Sequence, residues 1–183
     1  MSKAVRRTPA SDRRQSPELE KYVALAKQLK MVDALIISPS EICFDIRALL
    51  KCRWGCDDFF QGTARCHDGG TTLAERMEMV KSYSNVLLAH SHDARDMSKA
   101  VLEIERTAYL DGLYFAFAVR SCNLCRACKV KKGGTCRTPE RVRPCEGQFG
   151  IDVFKTVRRL GLPCEPLRNK DDVQNRYGFV LLD

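Results

Sequence analysis

The stretch Asn85-Val-Leu-Leu-Ala89, together with the pattern that begins at Asp93, decides the fold predicted for this chain. The apolar run at 85–89 predicts a buried strand. Four apolar residues then recur at helical spacing: Met97, Val101, Ile104 and Ala108. This recurrence predicts a long helix with one apolar face, which can pack on the sheet that contains the strand.

Elements upstream of this stretch follow the same alternation of helix and strand. Ser16-Pro17 predicts the start of a helix, because Ser is a good N-cap and Pro suits the first helical position. The apolar run Ala34–Ile37 predicts a buried strand, and the alternating run Ile42–Ile46 predicts a second one. Thr72-Leu-Ala-Glu75 has the form of a capping box, which predicts a helix that ends near Tyr83.

Downstream of the long helix, the apolar segment Leu110–Val119 is expected to be deeply buried. Ile151–Leu160 predicts a helix closed by Gly161, and Tyr177–Leu182 predicts a last strand. We therefore predict an α+β (mixed α/β) fold: a single domain at residues 16–183, with a mixed sheet flanked by helices and two cysteine-rich loops. Residues 1–15 are polar and basic, and we expect a flexible arm there.

Composition limits the class of protein. A chain of 183 residues is one ordinary domain, and 44% hydrophobic residues are enough for a core without disulfides. No apolar run approaches the length of a membrane span, and the basic N-terminus lacks the apolar stretch of a secretory signal. We therefore expect no membrane partner and a cytoplasmic location, where thiols stay reduced.

Ten cysteines in such a chain need a reason, and the run Ser121-Cys-Asn-Leu-Cys-Arg-Ala-Cys-Lys129 suggests one. With Cys136 it reads C-x2-C-x2-C-x7-C, the kind of spacing that lets a turning backbone direct thiolates to the corners of one iron–sulfur cluster. A zinc ribbon would need two separated cysteine pairs, and no second pair matches the first. Iron–sulfur is the favoured cofactor, as one or two [4Fe-4S] clusters, and Zn is the alternative.

A second cysteine-rich segment contains Cys52, Cys56 and Cys66, spaced C-x3-C-x9-C. Three ligands leave three possibilities: a second cluster with a distant fourth cysteine, a cluster with one open iron, or one centre shared with the other loop. Cys145 is the leading candidate for an eighth ligand, since Arg143-Pro144 places it in a turn near the second loop. The remaining candidates for the fourth ligand are Cys43, Cys164 and His67.

The motifs just described, in the same order, resemble the prokaryotic "predicted metal-binding protein" family, a cysteine-rich domain of unknown function. The resemblance rests on five stretches between residues 18 and 160: Phe44-Asp-Ile-Arg47, Lys51-Cys-Arg-Trp-Gly-Cys56 with Cys66, Ser121–Cys128, Cys136-Arg-Thr-Pro139 and Gly150-Ile-Asp-Val-Phe154. It implies that seven cysteines form the metal sites: Cys52, Cys56, Cys66, Cys122, Cys125, Cys128 and Cys136. The family implies no particular reaction.

The sequence is compatible with three functions. The first is electron transfer to or from a larger redox enzyme, since the sequence contains metal ligands without visible substrate machinery such as a Ser-His-Asp pattern. The second is an open-site iron–sulfur protein with a catalytic or cluster-delivery role. The third is a structural zinc module that contacts nucleic acid through the basic arm and Lys129–Lys132. We do not expect a nucleic-acid partner, because no aromatic residue interrupts that basic stretch.

Overall fold

The computed structural model describes residues 17–183, so the predicted arm at 1–15 and the Ser16 cap lie outside the described residues. The helices are α1 (Pro17–Gln28), α2 (Ile46–Gly55), α3 (Asp57–Phe60), α4 (Leu73–Ser82), α5 (Ala94–Leu110) and α6 (Val153–Arg159). The strands are β1 (Asp33–Ile37), β2 (Asn85–Ser91), β3 (Phe117–Val119) and β4 (Arg176–Leu182). The predicted α+β class is confirmed.

The four strands form one sheet in the order β1-β2-β4-β3. Every pairing between these described strands is antiparallel, whereas we expected a mixed sheet. β2 and β3 run in the same direction and are joined by α5, but they are not neighbours, because β4 lies between them and runs the opposite way. The last strand of the sequence thus occupies a central position in the sheet.

Two hydrophobic clusters cover the two faces of the sheet. On one face α1 and α5 pack through Tyr22, Met97 and Ile104, all almost completely buried. On the other face, Val80 of α4, Val157 of α6 and Phe149 pack against the alternate residues of β2 and β4. Period-two alternation along the central strands supplies both clusters, so the sheet is buried on both sides.

Helix starts follow the predicted caps. The Thr72 side chain accepts from the Glu75 N–H while the Glu75 carboxylate accepts from the Thr72 N–H, which completes the predicted capping box of α4. Asp93 caps α5 by accepting from the N–H groups of Arg95 and Asp96 at 2.8 and 2.7 Å. The predicted apolar face of α5 is buried as expected.

Two apolar segments do not have the predicted structure. Ile42–Ile46 is not a strand: only Phe44 makes a bridge, to Ile151, and Asp45 caps α2 by accepting from the Arg47 N–H at 2.8 Å. The capping carboxylate overrides the alternating pattern. Leu110–Val119 is not buried throughout, since Phe115 is 77% exposed in the turn that precedes β3.

Candidate metal centre

The first group of cysteines is assembled from three separate elements. Cys52 lies in the last turn of α2, where the N–H of Cys56 donates to its carbonyl oxygen at 3.1 Å. Cys66 ends the short 3-10 turn Ala64–Cys66, and Cys145 precedes the turn Glu146–Phe149. The first cysteine segment was expected to be a loop, but most of it is helical, because the Asp45 cap starts a helix that runs through Cys52.

The thiols of this group interact with one another. Cys145 donates a hydrogen bond to Cys52, and this bond lowers the pKa of the Cys52 thiol and raises the pKa of Cys145. Cys56 and Cys66 also act electrostatically on Cys52, and Cys66 is in turn influenced by Cys145. Burial raises the pKa of Cys66. We call Cys52, Cys56, Cys66 and Cys145 the first cysteine group.

The turn that carries Cys145 packs closely on α2. A Cβ at Gly147 would lie 3.4 Å from the Cys52 Cβ and 3.7 Å from its Sγ, so a glycine lets the turn approach the thiol. One residue further on, the buried Gln148 amide nitrogen has no hydrogen-bond partner within the described residues. A buried donor without a partner is uncommon in a folded protein, and it leaves one hydrogen bond available to a bound group.

The second cysteine group is Cys122, Cys125, Cys128 and Cys136. Burial raises the pKa of Cys122, while a hydrogen bond from the backbone N–H of Leu124 acts in the opposite direction. Cys125 and Cys136 act electrostatically on Cys122, so the loop folds back on itself. Cys128 is half-buried within the same loop, whereas Cys125 is exposed.

Arg65 joins the two groups. Its carbonyl oxygen accepts from the Cys145 N–H at 3.4 Å, and its guanidinium Nη1 donates to the Cys122 carbonyl oxygen at 2.7 Å. The guanidinium also pairs with Asp58, whose carboxylate binds Lys131 at 2.8 Å. The positive charge of Arg65 influences both Cys66 and Cys122, so the two groups are neighbours.

The remaining candidates for a fourth ligand lie elsewhere or have other contacts. Cys164 is buried in the core on the α4 and α6 face, near Tyr177. Cys43 is held by backbone hydrogen bonds to Thr156 and Asp152. His67 is exposed, and its Nδ1 accepts from the Gly69 N–H at 2.9 Å. Within this set, Cys145 is the residue that interacts with both Cys52 and Cys66.

The donor set indicates which metals the groups suit. Within residues 17–183, no three His, Cys, Asp or Glu side chains form a group that would hold a single metal ion. The two cysteine groups consist of thiols alone, and thiolates select soft metals and iron–sulfur clusters. Both zinc and iron–sulfur clusters are bound by such thiol-only donor sets.

These features define an α+β protein with two neighbouring, thiol-only candidate metal sites. The chain belongs to the family described as "Predicted metal-binding protein (DUF2284)", whose model matches residues 35–182. The match confirms the family that the sequence motifs resemble. It extends through β4, whereas the resemblance covers residues 18–160. No curated protein and no solved structure matches the chain. In the described part of the chain, no helix has the length and apolar character that crossing a bilayer requires.

Proposed function

We propose that the protein is an iron–sulfur protein with one or two [4Fe-4S] clusters that exchanges electrons with a larger redox enzyme. The first cysteine group would hold one cluster, and Cys122, Cys125, Cys128 and Cys136 would hold the other. A bound cluster supplies reversible one-electron chemistry. The observation that carries the proposal is the contact of Cys145 with Cys52, which are far apart in sequence and meet with two further thiols.

The surrounding residues have roles that fit this function. The Leu124 N–H already donates to the Cys122 thiol, and the Gln148 amide is a second, unused donor. Hydrogen bonds to the sulfurs and burial set the potential of a cluster. Arg65 supplies a positive charge beside both groups, which favours thiolates and a bound anionic cluster.

Anoxic purification followed by iron, sulfide and zinc analysis tests the proposal, with electron paramagnetic resonance of the reduced protein to count the clusters. We expect iron and sulfide in equal amounts and a cubane signal. The matched control is Cys164→Ser, which changes a cysteine outside both groups and should keep the same iron content. A colourless protein with stoichiometric zinc, or with free thiols and no iron, would refute the proposal.

A second candidate function is catalysis or cluster delivery at an open first site. One observation favours it: a cavity of about 500 Å³ is lined by Ala64, His67 and Pro144, which are close in sequence to Cys66 and Cys145, and by Arg76. A small molecule bound there would lie near the first cysteine group. If this function is correct, small ligands such as cyanide should perturb the spectrum of the wild-type protein; a spectrum unchanged by them contradicts it.

A further inference from the structure

A recess of about 520 Å³ opens beside the exposed Cys125 and is surrounded by cationic side chains. Five of its seven lining residues are basic: Arg95, Arg126, Lys129, Lys132 and Arg137. The other two are Cys125 and Ala127, so no acidic side chain of the described residues lines it. We call this surface the basic recess.

No ion pair among the described residues neutralises the charges of the basic recess, although Asp93 interacts electrostatically with Arg95. Within residues 17–183, none of the five basic side chains forms an ion pair with a carboxylate. Lys131 lies in the same basic stretch, but its charge is paired: its ammonium lies 3.7 Å from the Asp57 carboxylate and 2.8 Å from the Asp58 carboxylate. The unpaired charges therefore collect on the side of the stretch that faces Cys125.

The backbone holds these side chains in place. The N–H groups of Lys132 and Gly134 both donate to the Lys129 carbonyl oxygen, each at 2.9 Å. Gly133 adopts a left-handed conformation with φ of 76°, and a Cβ at Gly134 would lie 3.3 Å from the Lys129 oxygen. The two glycines permit a tight turn that presents Lys129 and Lys132 together.

A bound cluster would not cancel this charge. A cubane with four thiolates carries about −2 overall, which is smaller in magnitude than the combined charge of the five cations. An excess of unpaired positive charge at an exposed site favours a negatively charged partner, because complementary charge orients and accelerates the encounter. None of the described lining residues is aromatic. Single-stranded nucleic acid normally needs such stacking residues, so an acidic protein surface is the better fit.

We propose that the basic recess is the docking surface for the acidic face of an electron-transfer protein, with Cys125 marking the edge of the second centre nearest to that partner. This inference rests on the proposed function and names the class of partner. An acidic protein surface binds the recess through ion pairs, and the interaction weakens as salt screens them.

Polyglutamate is the probe for this surface, because it is acidic and its binding needs no iron. Fluorescence anisotropy of a labelled polyglutamate peptide is measured with the full chain at low and at physiological salt. The test variant is R126E/K129E/K132E. The matched control is K27E/R168E/K170E, which makes the same change in net charge at exposed positions elsewhere. We expect the recess variant to bind polyglutamate about tenfold more weakly or worse, and the control to bind nearly as well as the wild type.

The outcomes separate this inference from the proposed function. Equal losses in the two triple variants overturn the inference, since the attraction would then be a property of net charge alone. An oligonucleotide of matched charge that binds the recess more tightly than polyglutamate also overturns it, in favour of a nucleic-acid surface. Iron content is measured on the same preparations: a protein that lacks iron but loses polyglutamate binding only in the recess variant refutes the cluster and leaves the acidic partner supported.

Discussion

At the scale of single residues, Cys145 decides the composition of the first cysteine group. Cys145→Ser should remove one thiol ligand and leave the second group intact, because serine binds iron poorly and the contact with Cys52 is lost. We expect a lower iron content and a changed resonance signal from one cluster only. An unchanged spectrum would show that Cys145 is not a ligand and that another residue completes the site.

Arg65 lies beside both groups, and its charge should affect both reduction potentials. Arg65→Gln removes a positive charge next to a site whose charge becomes more negative on reduction, so reduction becomes harder. We expect both potentials to fall by an amount on the order of tens of millivolts, measured by potentiometric titration. Arg65→Lys retains the charge and should shift them less. Equal shifts in the two variants would mean that hydrogen-bond geometry, and not charge, sets the effect.

His90 should make stability depend on pH. Its ring is buried and stacks on Tyr177, and Asn175 is its hydrogen-bond partner. His92 and Asp33 are the neighbouring titratable groups, and burial lowers the pKa of His90 below 6.5. The unfolded chain therefore takes up the proton first, and the free energy of unfolding should fall as pH drops below about 6.5. Urea unfolding between about pH 7 and 5 measures this. His90→Gln should flatten the dependence, and the exposed His92→Gln should not; equal slopes in all three proteins contradict it.

At the scale of secondary-structure elements, the sequence was most informative where a pattern was long or a cap was explicit. The apolar positions of α5 and the Thr72 cap of α4 are local signals, and both were confirmed. The alternation at Ile42–Ile46 failed because one side chain, the Asp45 carboxylate, stabilises a helix start at the same place. A short alternating pattern stabilises a strand less than a cap and the helix that follows it stabilise the helical structure.

Gly178 of β4 shows how closely α5 approaches the sheet. A Cβ there would lie 2.9 Å from the Met97 Sδ and 3.0 Å from the Val101 Cγ1. We expect Gly178→Ala to lower the free energy of unfolding by about 1–3 kcal/mol through overpacking. The matched control is Gly55→Ala at the end of α2, where a Cβ meets nothing within 4 Å and should cost no stability. Chemical denaturation measures both; equal stability of the two variants would contradict the close packing.

At the scale of the whole molecule, the hydrophobic clusters and the cysteine groups are largely separate. No member of the first or second cysteine group belongs to either core cluster of the described residues, whereas Cys164 does. The contact between Cys145 and Cys52 could not be predicted as a certainty, because it depends on how a distant turn packs on α2. The sequence nevertheless predicted the segments involved, since their spacing is a local property.

This separation predicts how metal removal acts. Stripping the metal with a chelator should loosen residues 122–136 and 52–66 while the sheet stays folded, because the sheet is stabilised by apolar packing. Hydrogen exchange should become faster in those two segments and stay slow in β2 and β4. Unfolding of the whole domain on metal removal would contradict this and would make the metal part of the fold.

The central place of β4 has a consequence for biosynthesis. All ten cysteines precede residue 176, so every cysteine is synthesised before the strand that completes the middle of the sheet. Until β4 inserts, β2 and β3 have no common neighbour, and the sheet that supports the cysteine segments is incomplete. The sheet that supports the cysteine segments is therefore completed only after β4 has been synthesised, and we expect any metal to be bound stably only after that point.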